Sequence, residues 1–169
     1  MEPDISLTII TDAHWVAVNR IQKRAYTSEL HEDLEVLKSK SCAHNAICRL
    51  VEANAANKAK VIAYILAHPW FPMSAPALNQ KINLLSIEDS THLFIHDFAF
   101  DPSAQGKGYA RRAIQELECL AVAKGFKSIG LVAVQQSTSF WAKFDFILSN
   151  IEKSLDTYDE NAVFMSKYL

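Results

Sequence analysis

The residues whose types and spacing most directly suggest chemistry are Gln105-Gly106-Lys107-Gly108-Tyr109-Ala110-Arg111-Arg112. Two glycines without a Cβ let a turn approach a ligand closely. The turn joins a β-rich run, Leu93 to Phe100, to a helical one, Ala110 to Lys124. A helix start offers unpaired N–H groups to an anion. Lys107, Arg111 and Arg112 crowd the positive end of that helix dipole, where each cation costs about 0.3–1 kcal/mol. Three cations placed there anticipate a phosphate. Two phosphate motifs are excluded: Gly106-Lys107-Gly108-Tyr109 does not supply a P-loop, and Arg111 stands where a dinucleotide fingerprint needs its third glycine. What remains is Gln-x-x-Gly-x-Ala at Gln105, Gly108 and Ala110.

The elements that must position this turn can be read along the chain. Ile5 to Ile10 predicts a strand, followed by a helix capped at Thr11 or Asp12 with Trp15, Val18, Ile21 and Ala25 on one face. Glu29 to Lys40 predicts a second, acidic helix with Leu30, Leu34 and Leu37 as its stripe. Ala46 to Glu52 and Val61 to His68 predict a hairpin across the polar Asn54 to Lys60 segment. Residues 69–90 hold Pro69, Pro72 and Pro76 and form a long loop, a common place for lids and binding loops. Beyond the turn, Gly125 ends the helix. A strand at Lys127 to Val134, a short helix at Ser139 to Phe144 and strands near 146–152 and 162–167 follow. The order is that of a single mixed α/β or α+β domain over residues 1–169.

Composition narrows the class. Half of the residues are apolar and 21% charged, as in ordinary globular proteins. A net charge of −2 gives no general attraction to nucleic acid or anionic membrane, so a basic site must be local. Cys42, Cys48 and Cys119 have no metal-ligand or Cys-x-x-Cys spacing, and free thiols fit a reducing, cytoplasmic setting. His92 and His96 lie about 13 Å apart along a strand, too far to share one metal ion.

With its flanks, the glycine turn resembles the acyl-CoA motif of the GNAT N-acetyltransferase superfamily. His92 to Asp101 resembles the strand before that motif, and Phe140-Trp141-Ala142-Lys143-Phe144-Asp145-Phe146 resembles its downstream Phe-Tyr-x-Lys-x-Gly-Phe segment. The resemblance covers nearly the whole chain in element order and is specific over about residues 92–146. It implies a mostly antiparallel central sheet with helices on both faces, and acetyl-CoA as cosubstrate. It further implies that backbone groups of Phe98, Ala99 and Phe100 pair with the pantetheine arm. The pyrophosphate would rest on Gln105, Gly106, Lys107, Gly108, Tyr109 and Ala110, with Arg111 close by. Two splayed strands would let the thioester reach its acceptor.

Acetyl transfer needs a neutral amine, a stabilised oxyanion and a leaving thiolate. His96 is the candidate base, because histidine titrates in the useful range and its place is similar to that of a histidine in arylalkylamine N-acetyltransferases. Alternation puts His92, Phe94, His96 and Phe98 on one strand face and Leu93, Ile95, Asp97 and Ala99 on the other. The competing role for His96 is a structural one, bonded under the sheet. Trp141 departs from the family's tyrosine and donates only a hydrogen bond, so Ser137, Ser139 and Tyr158 are the alternative acids. Asp145 replaces a glycine and is expected to strain its turn. For the acceptor, His68 and Trp70 in the run Ala67 to Met73 offer an apolar wall, joined by Trp141. Glu29, with Glu32, Asp33 and Glu35, could attract a cationic amine. The reading is an N-acetyltransferase for a small primary amine, acting as monomer or homodimer without nucleic acid or membrane partners. The alternatives are a non-catalytic acyl-CoA sensor and an enzyme acting on a protein amine.

Overall fold

The computed structural model describes residues 4–55, 58–151 and 155–169, and the expected hairpin is its centre. β2 (Ile47–Ala55) pairs antiparallel with β3 (Lys58–Trp70); the intervening residues 56 and 57 of the connecting segment lie outside the described residues. β1 (Ile5–Ile9) adds to β2 and β4 (His92–Phe100) to β3, both antiparallel. β5 (Ser128–Ala133) runs parallel to β4, which requires a crossover, here α3 (Tyr109–Ala123). β7 (Val163–Tyr168) and the two-residue β6 (Ile147–Leu148) complete the order β1-β2-β3-β4-β5-β7-β6.

Both sheet faces are covered. α1 (Trp15–Ala25) and α2 (Leu34–Ser41) bury Trp15, Val18, Ile21 and Leu37 against Leu50, Tyr64, Leu66 and Ala99. On the opposite face α3 buries Ala113, Ile114, Leu117 and Ala121 against Val51, Ile65, Leu93, Ile95 and Leu131. Trp141 of α4 (Thr138–Ala142) joins that cluster. Each fully buried large aliphatic side chain contributes about 1.5–3 kcal/mol. Gly125 ends α3 at φ 86°, its N–H reaching Val122 O at 3.0 Å.

Three expectations need correction. The acidic helix does not run from Glu29 to Lys40: a 3-10 turn occupies Ser28–Leu30, and the chain is extended before α2. The buried Gln22 amide takes both backbone groups of Glu32, accepting from its N–H at 2.8 Å and donating to its carbonyl at 3.1 Å. Those groups cannot then join a helical ladder. The strand near 146–152, whose last residue lies outside the described residues, shortens to Ile147–Leu148.

The third correction concerns β4. Leu66 faces Asp97 and Ala67 faces Ile95, which leaves His96 as an extra residue, a β-bulge. An inserted residue shifts side-chain alternation by one. Leu93 and Ile95 therefore share the α3 face with Phe98 and Phe100. Phe94 and His96 share the α1 face with Asp97 and Ala99. Phe98 thus leaves the face expected for it, and Asp97 takes its place beside His96.

Candidate active site

The β4–β5 ladder ends at Ile95 and Leu131. Beyond that pair the strands diverge, and a cavity of about 400 Å³ fills the gap. Its wall runs from the Gln105–Ala110 turn, along Ile95 to Phe100, to Tyr26, Leu30, Glu32, Leu78 and Tyr158. One space therefore joins the glycine turn to a group of ionisable side chains.

At the turn end the walls are mostly backbone. Gly106 and Gly108 adopt φ 74° and 80°, and Gly108 is the N-cap of α3. That left-handed pair brings the start of α3, Tyr109 and Ala110, to the cavity end, and a helix start favours an anion. The Lys107 ammonium donates to Ser103 O at 2.9 Å, beside the turn. Arg111 lies over the Phe144 ring at 5.5 Å, and Arg112 pairs with Glu116 at 2.7 Å. Phe98 packs on Trp141 with ring centroids 5.7 Å apart. Asp145 has φ 66°, so the glycine replacement carries the left-handed strain expected of it.

The other end is built from side chains on the α1 face. Asp97 accepts from the Tyr26 hydroxyl at 2.6 Å and from the Tyr64 hydroxyl at 2.5 Å. Burial outweighs those bonds and lifts the Asp97 carboxyl to about 7. Burial and the Asp97 charge push both phenols well above their ordinary value, so they remain donors. Beside them, Glu32 accepts from His96 Nε2 at 2.6 Å and from the Asn79 N–H at 2.7 Å. Burial works to raise the Glu32 carboxyl, but His96, Lys40 and Asn79 together hold it below its usual range. Lys40 is fully buried and donates to Gln80 O at 2.7 Å; burial lowers its ammonium against the pull of Glu32 and Asp97.

The expected site residues separate into two sets. Phe98, Ala99, Phe100, Gln105, Gly106, Lys107, Gly108, Tyr109, Ala110, Trp141, His96 and Tyr158 line the cavity. Trp141 does so with the α3-face core, away from the acceptor-side group it was expected to join. Arg111, Glu29, His68 and Trp70 do not line it. Glu29 is exposed, and its carboxyl is lowered by its own backbone N–H and the hydroxyls of Thr27 and Ser28. His68 is buried, bonded through Nδ1 to Pro69 O at 2.8 Å, and packed edge-on to Trp70. Both pack among rings rather than at the cavity, His68 against Phe94 and His96 and Trp70 against Phe71.

His96 itself needs the closest reading. Its imidazole has no exposed surface, so the part of His96 that meets the cavity is its backbone. Burial lowers its pKa, and the rings of His68 and Phe94 lie 5.8 and 6.0 Å away. The geometry matches the structural alternative, a histidine bonded to Glu32 under the sheet. Tyr158 donates to Pro76 O at 2.7 Å, so its proton is engaged, and burial raises its pKa. Sequence reasoning missed Tyr26 and Gln135, gave Asp97 no part in the site, and named Glu32 only among the acids of the second helix. Two adjacent ionisable residues, His96 and Asp97, inside the otherwise apolar run Leu93 to Phe100 were the available signal of a bulge.

The sequence matches the model of the acetyltransferase (GNAT) family over residues 15–146. Comparison with curated proteins by sequence found no match. Among solved structures, Ard1 from Thermoplasma volcanium superposes with a TM-score of 0.71 at 13% identity, over 98% of this chain and 97% of that one. The ribosomal-protein-S18-alanine N-acetyltransferase from Escherichia coli gives 0.67 at 14% identity, over 98% and 94%. PaiA N-acetyltransferase from Thermoplasma acidophilum, in complex with coenzyme A, gives 0.61 at 14% identity, over 98% and 99%. At these identities the likeness is one of fold.

Proposed function

The chain belongs to the acetyltransferase (GNAT) family, and on that premise we propose that it moves an acetyl group from acetyl-CoA to the primary amine of a small molecule by direct attack. The observation that carries this reading is the single cavity in the β4–β5 gap, with an anion cradle at one end and a buried carboxylate of raised pKa at the other. The cradle fits the cosubstrate: left-handed glycines, helix N–H groups and Lys107 suit a pyrophosphate. Backbone of Phe98 to Phe100, beyond the end of the β5 ladder, suits an extended amide-bearing arm.

Acetyl-CoA supplies the activated acyl group; the chain supplies the proton traffic and the charge stabilisation. An amine ordinarily arrives protonated, and its nitrogen must lose a proton before it can attack. Asp97, at about 7, accepts that proton near neutral pH, with the Tyr26 hydroxyl at the cavity wall as relay. Glu32 and Asp97 give the acceptor end a negative character that favours a cation, while Leu30 and Leu78 favour an apolar body. The thiolate needs little help in leaving, since a thiol of pKa near ~8.5 is a tolerable leaving group.

A panel of small primary amines, assayed by release of free CoA thiol, tests the reading. Turnover of at least one amine, rising with pH through about 7, is the expected result. Tight acetyl-CoA binding without amine-dependent thiol release would instead point to a non-catalytic acyl-CoA module.

A further inference from the structure

Gln135 follows β5 and lines the cavity, and its side chain crosses to the end of α1. Its amide oxygen accepts from the Thr27 N–H at 3.1 Å, and its amide nitrogen donates to Ala25 O at 3.3 Å. The Gln135 N–H is held by the Asp159 carboxylate at 2.6 Å. Gln135 and Gln136 both carry left-handed backbone, at φ 51° and 59°, which residues with side chains rarely adopt. Two such residues in succession beside a cavity point from strain to function.

Two further bonds close the same end. Tyr158 donates to Pro76 O at 2.7 Å, and the Leu78 N–H reaches Thr157 Oγ1 at 3.0 Å. Four segments are thus tied across the acceptor end: the end of α1, the long loop after β3, the loop after β5 and the loop before β7. A polypeptide laid through this end would have to cross those ties, whereas a free amine of a few heavy atoms would not. The Gln135 bonds are solvent-exposed, and such bonds open readily because water replaces them at little cost.

We propose that Gln135 is the specificity latch of the acceptor end, admitting free small amines and excluding amines borne on a polypeptide. This deepens the proposed function and rests on it. The bond to Thr27 can be broken from either side. Gln135→Ala removes the amide. Thr27→Pro removes the N–H, and with it a hydroxyl that serves exposed Glu29 rather than Gln135; Thr27 has φ −68° and Tyr26 before it is extended, both compatible with proline.

The test compares kcat/KM for a small amine found in the panel with that for a heptapeptide carrying one lysine and a blocked N-terminus. Wild type is expected to favour the small amine, and both variants to narrow that preference by roughly ten-fold, the equivalent of ~1.4 kcal/mol, mainly through the KM for the peptide. Melting temperatures separate a latch effect from unfolding. An unchanged ratio in two folded variants overturns the latch while leaving the proposed function standing. A wild type that already prefers the peptide overturns the latch and the small-molecule acceptor together. A wild type that turns over neither amine overturns the proposed function, and the latch falls with it.

Discussion

The turn end of the cavity is built from backbone, whereas the acceptor end is built from side chains brought together over long stretches of sequence. At the turn, Gly106, Gly108 and the first N–H groups of α3 lie within a few residues of one another. At the acceptor end, Tyr26, Glu32, Asn79 and Asp97 come from α1, the segment before α2, the long loop and β4. A backbone cradle answers to few substitutions, chiefly those of its glycines. A side-chain group answers to each member, because every bond satisfies a buried charge or a buried donor.

Asp97→Asn is the largest test of this division. It should lower kcat by roughly 10²–10⁴, the usual worth of a general base, and abolish the rise of kcat/KM with pH through about 7. Acetyl-CoA affinity, measured by titration, should stay within two-fold or so of wild type. If affinity fell in step with kcat, the two ends would not be separate. The Asp97 pKa is raised in the fold, so its contribution to stability is present below about pH 4 and is lost as pH rises toward 7. Wild type should accordingly lose stability relative to Asp97→Asn across that window.

Glu32→Gln comes next. The Glu32 carboxylate accepts from His96 and lies in the field of buried Lys40; breaking a buried pair and leaving nearby charge uncompensated costs about 3–5 kcal/mol, and a denaturant midpoint reads it. The sign with pH is opposite to that of Asp97. The folded pKa of Glu32 is lowered, so its stabilisation is present above the unfolded carboxylate pKa near ~4.3 and is lost as pH falls below it.

Gly108→Val should weaken acetyl-CoA binding about ten-fold or more, since a β-branched residue at φ 80° is strained and the turn must shift. An unchanged dissociation constant would remove the turn from the cofactor site. Arg111→Gln is expected to have the smallest effect, a loss of less than about five-fold, in line with ~1 kcal/mol for an exposed charge. A large loss there would show that side-chain charge, not backbone, carries the turn end.

This division also explains what could be read from the sequence. Local signals were legible: the turn at Gln105 to Ala110, the stop at Gly125, the hairpin of β2 and β3, and the stripe of Trp15, Val18 and Ile21 all depend on near neighbours. The acidic helix was misread because the competitor for Glu32's backbone, the Gln22 amide, lies ten residues away. Asp97 was misplaced because a bulge is set by cross-strand register with β3, and the adjacent His96 and Asp97 were its one local trace within β4. His68 and Trp70 look like a pocket wall in sequence, but His68 is buried beside Phe94 and His96, and half-buried Trp70 packs on it away from the cavity.

The bulge at His96 also sets how this protein can vary in length. Elsewhere in a sheet, losing one residue near a strand end shortens the strand. Losing His96 would instead remove the bulge and leave the faces as they are. Ile95 and Asp97 already face consecutive β3 residues, Ala67 and Leu66, so Asp97 and Ala99 would stay toward α1 and Phe98 and Phe100 toward α3. The loss would be the imidazole bonded to Glu32. Within the rest of β4, one residue fewer would exchange inside for outside beyond the break. Neutral drift by deletion is therefore open to this strand at one peptide unit and closed along the remainder.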